Sequence, residues 1–401
     1  MDSMPVKLGK QGAPLLLVIA YLGVISLGLP DPVAGVAWPS VREAFSLPQS
    51  GFGLVFIALG CGYCASGFFG GKLTHLLGLG NLLWISSGLV AAAMFGSGLA
   101  PIWPVFVTCA VVWGLGSGGI DAGLNAYVSK HFSARHVNWL HACYSLGATA
   151  GPLVMTAILV QLGSWRLGYG VVGGVLLGMS VLFFVTRHRW TDPTQPAAAE
   201  PHQPLGLWAV LGDPLVQLQT ALFFLYVGLE FTVGQWSFTL LTESRSIRPD
   251  WAGMLAGAYY GSIGVGRIVS GAIAPRVGLD RLVRWSLVGV LLGTVLFALG
   301  APLELDLIGL ALIGLGLAPV FPCLMAQTPN RLGAEHATHA VGFQVSAGMV
   351  GAALVPAIAG LLAQRRGLET VAQLAVLLAA LLLAMHELVL TMARRRELRR
   401  A

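Results

Sequence analysis

Long apolar stretches, broken by short runs of glycine, proline and charged residues, make up most of this chain. They fall at residues 12–38, 50–75, 79–100, 102–130, 137–162 and 165–187, and resume after the polar stretch RHRWTDPTQPAAAEPHQP at 213–242, 250–275, 280–300, 304–331, 336–364 and 368–392. A helix needs about 20 apolar residues to cross hydrocarbon, so each run predicts one crossing and the chain predicts twelve. Lipid offers backbone groups no partner, which makes the expected fold all-α. The division reads as a six-helix bundle over 1–187, a cytoplasmic linker over 188–212, a second six-helix bundle over 213–393 and a basic cytoplasmic tail over 394–401. The Pro/Ala/polar composition of the middle stretch keeps it outside the membrane.

Composition excludes a soluble protein. The chain is 56% hydrophobic and 10% charged, against roughly 25% charged residues in soluble domains. The opening MDSMPVKLG runs into the first apolar stretch without a small-residue cleavage site, which reads as an uncleaved first helix. The net charge of +6 is spread over loops and not gathered on one face, so nucleic acid is not an expected partner. The positive charges report topology instead. Lys7, Lys10, Lys72, Lys130, Arg135, Arg187, Arg189, Arg276, Arg281, Arg284, Arg331 and the tail arginines fall at the ends and even-numbered loops, whereas the other side holds Arg42, Arg166, Arg245, Arg248, Arg365 and Arg366. The positive-inside rule then places both termini and the linker in the cytoplasm, in a multi-pass protein of the inner (plasma) membrane whose tail anchors against anionic lipid. Cys61, Cys64, Cys109, Cys143 and Cys323 lie inside apolar runs and read as packing residues.

The halves repeat at an offset of about 200 residues. Gly28-Leu29 matches Gly228-Leu229, Gly71 and Gly78 match Gly271 and Gly278, Gly114-Leu115-Gly116 matches Gly314-Leu315-Gly316, and Gly147, Ala148 and Pro152 match Gly351, Ala352 and Pro356 after a slip to 204. Parallel repeats with a midplane site are a transporter plan.

Charge inside a span is costly and marks candidate chemistry. Asp31 lies in Gly28-Leu-Pro-Asp-Pro32, where the prolines interrupt helix hydrogen bonding; it reads as a solute or proton site, or as the cap of an outer loop. Asp121 has no other charge near it between Pro101 and Ser129, and Asn125 lies one turn on along the same face. A carboxyl so placed suits proton transfer, or hydrogen bonding for helix packing. His141, at the start of the fifth run, offers a proton relay or an interfacial residue. Arg267 needs a counterion or snorkels to the surface. In the seventh run Tyr226, Glu230 and Gln235 offer donors and acceptors and Trp236 an indole face, the mixture a polyhydroxylated solute uses. Gln344 and Gln327 add contacts to a solute or bridge helices, and His386-Glu387 read as interfacial or packing residues. No metal cluster or nucleophile triad is present in the sequence, and no cofactor is expected beyond a coupling proton or sodium ion.

The whole chain resembles the major facilitator superfamily, which implies two six-helix bundles related by a pseudo-twofold axis. The loop Gly70-Gly-Lys72-Leu-Thr-His-Leu-Leu-Gly78 is similar to the superfamily's cytoplasmic gating motif, with His75 where the aspartate stands, and makes Lys72 a gating or structural charge. Asp31, the Asp121/Asn125 spacing, YYGSIGVGR and GLGLAPVFP resemble the fucose and hexose proton symporter branch. That resemblance implies proton coupling at Asp31 and Asp121 and sugar binding at Asn125. The expected activity is therefore monomeric, proton-coupled symport of a small polar solute, a sugar first, by alternating access. An exporter of amphipathic compounds and a membrane sensor on the same fold are the alternatives.

Overall fold

The computed structural model describes residues 13–190, 210–300 and 302–400; the chain start and most of the linker expected at 188–212 fall outside them. Among the described residues the long elements are all helices: α1 (Ala13–Gly28), α2 (Val33–Ala44), α3 (Phe52–Leu77), α4 (Leu79–Leu99), α5 (Trp103–His131), α6 (Ala134–Leu162), α7 (Trp165–Thr186), α8 (Pro214–Thr239), α9 (Pro249–Val277), α10 (Leu279–Leu299), α11 (Leu303–Leu317), α12 (Val320–Leu332), α13 (Ala334–Arg366) and α14 (Glu369–Arg400). Among the described residues eleven spans are long and apolar enough to cross a membrane. The twelfth, α9, has 29 residues, but glycines, tyrosines and Arg267 make it less apolar.

Three expected boundaries change. The first run is two helices, because Pro30 and Pro32 lack the N–H donors that would join α1 to α2. The tenth run divides in the same way at Ala318-Pro319, between α11 and α12. The repeat does not copy these breaks: α5 passes unbroken through Gly118-Gly119, and α8 through Glu230 to Thr232. Finally, the basic tail is no separate segment, since α14 runs to Arg400. Arg396 pairs at 2.6 Å with Asp213, the residue that caps the start of α8.

Two compact units form, Met1–Leu47 with Ile57–Gln195, and Pro48–Phe56 with Pro196–Ala401. In the first, α1 packs on α6, and α4 on α5 and α7. In the second, α8 packs on α13, and α10 on α11 and α14. The same small residues make the same contacts twice. A Cβ on Gly116 would press on the Ser86 carbonyl and Val90, and one on Gly316 on the Ser286 carbonyl and Val290. Such glycines let helix backbones approach closely where lipid gives no hydrophobic drive. Even the turn after the first crossing repeats, with Ser46 and Ser246 both at φ 53°.

The end of each unit away from the chain terminus is held differently. In the first unit Phe45, Phe106 and Trp165 meet edge to face, each pair of rings 6.1 Å apart. In the second, Arg245 pairs with Asp306 and grips Glu369 with two bonds of 3.0 and 2.6 Å, while its Nη2 also donates to the Phe297 carbonyl at 2.8 Å.

Candidate functional site

The first unit gathers most of its polar chemistry where four helices meet. Gly62 on α3 and Gly114 on α5 lie against each other's backbones, and this contact carries Tyr63 to Asp121, whose carboxylate accepts the Tyr63 hydroxyl at 2.5 Å. Asn125, one turn on, donates to the other Asp121 oxygen at 2.8 Å. On the other side, Gly28 lies against the backbone of α6 at Tyr144 and Gly147 against α1 at Ile25. That packing sets the Tyr144 hydroxyl on the Asp31 carboxylate, in the gap between α1 and α2. Asp31 and Asp121 are within electrostatic reach of each other, and His141, exposed on α6, is within reach of Asp121.

Tyr63 and Tyr144 were not singled out from the sequence. The available signal was a phenol inside an apolar run, since a Tyr hydroxyl placed there seeks a hydrogen-bond partner.

The second unit forms its own cluster. Tyr226 donates to Glu230 one turn later on α8 at 2.5 Å, and Tyr259 on α9 donates to the Glu230 carbonyl at 2.9 Å. Arg267, two turns beyond Tyr259, hydrogen-bonds Tyr226 and lies within electrostatic reach of Tyr259. Arg267 therefore joins this polar group.

Other candidates are used elsewhere. Trp236 is fully buried, its indole N–H on the Pro356 carbonyl at 3.0 Å and its ring edge-on to Phe52 at 5.3 Å. No face is open for the stacking expected of it. Gln344 is buried in a helix-bridging network with Gln219 and Thr328, and Gln327 donates to Asp280 at 3.0 Å. Gln235 is buried, 2% exposed, next to Trp236. Lys72 is exposed about two and a half turns along α3 from Tyr63. Glu387 pairs with Arg284 at 2.6 Å. Cys61 and Cys64 lie exposed on α3, so they are surface thiols and not packing residues; Cys323 is buried. No group of metal-ligating side chains is found among the described residues.

The comparisons agree with this architecture. A sequence profile of the Major Facilitator Superfamily matches residues 17–356 and 241–400. Bypass of stop codon protein 6 of Saccharomyces cerevisiae is 23% identical over 93% of this chain and 82% of its own length. The human sodium-dependent glucose transporter 1 is 22% identical over 86% of this chain and 73% of its own. Among solved structures, the nucleoside transporter NupG superposes with a TM-score of 0.76 at 14% identity, covering 93% of this chain and 98% of NupG. The chain thus belongs to the Major Facilitator Superfamily: it is a multi-pass membrane transporter and not an enzyme.

Proposed function

We propose that the chain is a cation-coupled symporter for a small polar solute, with a sugar as the leading class and a proton as the coupling ion, working by alternating access. The observation that carries this reading is the Asp31/Asp121 pair. Two carboxyls, one in the break between α1 and α2 and one on α5, each held by a tyrosine hydroxyl, stand within electrostatic reach of each other in spans otherwise poor in charge. Like charges so placed disfavour full ionisation of both, and binding one cation relieves them. A cation held more tightly in one conformation shifts the population toward it.

In the first unit we assign Asn125 to solute recognition, and in the second unit, separately, Tyr226 and Glu230, with Arg267 as the fixed charge beside Tyr226. The human relative named for sodium-dependent glucose transport supports a sugar and makes sodium the alternative ion. The Lys/Arg distribution supports cytoplasmic termini in the inner (plasma) membrane. The unit of function in this reading is a monomer in the bilayer without a resident cofactor.

The test is reconstitution into vesicles. A transported sugar should alkalinise the external medium as it enters, and Asp121→Asn should keep sugar exchange while losing gradient-driven accumulation. Accumulation by that variant at the native level refutes the coupling assignment. Uptake that follows a sodium gradient with no change in external pH replaces the proton by sodium.

A further inference from the structure

At the terminus-bearing end of the second unit, positions that are apolar in the first unit have become polar. Gln219 on α8, Thr328 on α12 and Gln344 on α13 form a buried knot: Gln344 donates to Gln219 at 3.0 Å and Thr328 to Gln344 at 3.1 Å. Their counterparts at the repeat offsets are Ile19, Val128 and Leu140, 3%, 0% and 1% exposed. One turn past Thr328, buried Arg331 donates to Asp280 at the start of α10 at 2.7 Å, tying the end of α12 to α10. On the last helix, α14, His386 is completely buried.

His386 is a buried titratable residue that has little to hold. Neither ring nitrogen has a well-formed hydrogen bond among the described residues, although the Asp280 backbone approaches the ring; Arg331 Nη1 and Gln219 Nε2 likewise lack partners. The ionisable groups within its electrostatic reach are Arg331 on α12, Asp280 on α10 and its neighbour Glu387, which is itself engaged by Arg284 on α10. From α8 and α13, which also pack on α14, none reaches it among the described residues.

We infer that His386 is a proton-sensing site, separate from Asp31 and Asp121, which releases α12 from α10 when it is protonated. A second positive charge beside Arg331 repels it, and a buried cation without a partner is costly. Relief comes when the Asp280 carboxylate turns from Arg331 to the imidazolium, which breaks the Arg331–Asp280 tie and the Gln327 bond to the same oxygen. The other end of α12 adjoins the break at Ala318-Pro319, so loss of the tie leaves this helix of 13 residues held on the α13 side, through Thr328, and loosened from α10.

The experiment needs no solute and uses the full chain in lipid nanodiscs. With the native cysteines replaced by serine, spin labels at Asn330→Cys and Leu388→Cys, both exposed positions, report by pulsed EPR the distance between the end of α12 and the stretch of α14 beside His386. Going from about pH 7.5 to about pH 5.5, a longer-distance population should rise by about tenfold or more relative to the short one. The rise should vanish in both His386→Gln and His386→Phe and persist in Asp121→Asn. An unchanged distribution in the native chain overturns the inference, as does a rise retained by both His386 variants. Loss of the rise in Asp121→Asn alone overturns it too, and assigns the proton to the coupling acids.

Discussion

Phe45, Phe106 and Trp165 in the first unit occupy the positions of Arg245, Asp306 and Glu369 in the second, at the repeat offsets of 200, 200 and 204. One set is three interlocking rings and the other a buried arginine between two carboxylates. Both serve the same purpose, joining the loop after the first crossing to the start of the fourth and sixth crossings. The difference teaches that the fold requires complementarity within the trio and not any particular chemistry. Aromatic rings achieve it by area and edge-to-face geometry. The ionic set achieves it only as a whole, because a lone charge buried there has no compensation.

Asp306→Phe should break this comparison most severely. It leaves Arg245, whose side chain is 5% exposed, with only the partly exposed Glu369 as counterion and should cost about 3 kcal/mol. The triple variant Arg245→Phe, Asp306→Phe, Glu369→Trp, which installs the first unit's rings, should recover most of that loss. Thermal unfolding in detergent measures both; a triple variant as unstable as the single one would show that the two trios are not interchangeable.

The shared scaffold should respond equally in both halves. Gly116→Ala and Gly316→Ala force a Cβ into the same neighbours and should each cost about 1–3 kcal/mol. Gly71→Ala and Gly271→Ala, with open space around them, serve as controls that should not lower the melting temperature. Unequal losses at Gly116 and Gly316 would mean that the repeated contact is not repeated in energy.

The two polar clusters should separate by function. Glu230→Gln keeps the shape but weakens a charge-assisted contact, so solute KM should rise about tenfold, or ~1.4 kcal/mol, with the ion-to-solute ratio unchanged. A changed ratio would move Glu230 into the coupling machinery with Asp121. The smallest effect belongs to Arg396→Ala, which frees the Asp213 cap from a partly exposed ion pair and should cost about 0.5–1 kcal/mol. A loss well above that, in the same unfolding measurement, would make the end of α14 a structural clasp of the unit.

Much of this was legible in the sequence, for identifiable reasons. The twelve crossings follow from apolar length, and Asp121 and Asn125 from one helical turn. The proline-flanked position of Asp31 foretold an interrupted helix. The trio of Arg245, Asp306 and Glu369 was not legible, because three residues spread over more than a hundred positions share no local period; only the repeat alignment, extended from glycines to every position, would have paired them with the rings. Trp236 was misread because an indole in a polar stretch offers stacking and packing equally, and the decision rests on Phe52 and Pro356, far away in sequence. Tyr63 and Tyr144 escaped notice because an aromatic residue in an apolar run looks like core until the neighbouring helix is known.

Ser46 and Ser246 each follow the first member of a trio, Phe45 or Arg245, and both adopt the same left-handed backbone. An L-residue gains nothing intrinsic from that conformation. The turn is therefore a mount, which aims whichever side chain precedes it into the bundle. Geometry here has outlasted chemistry: the bracket is common to both halves, and what hangs from it has been exchanged. For an engineer, residues 45–46 and 245–246 are a ready-made socket, in which a new trio can be tried without redesigning the loop.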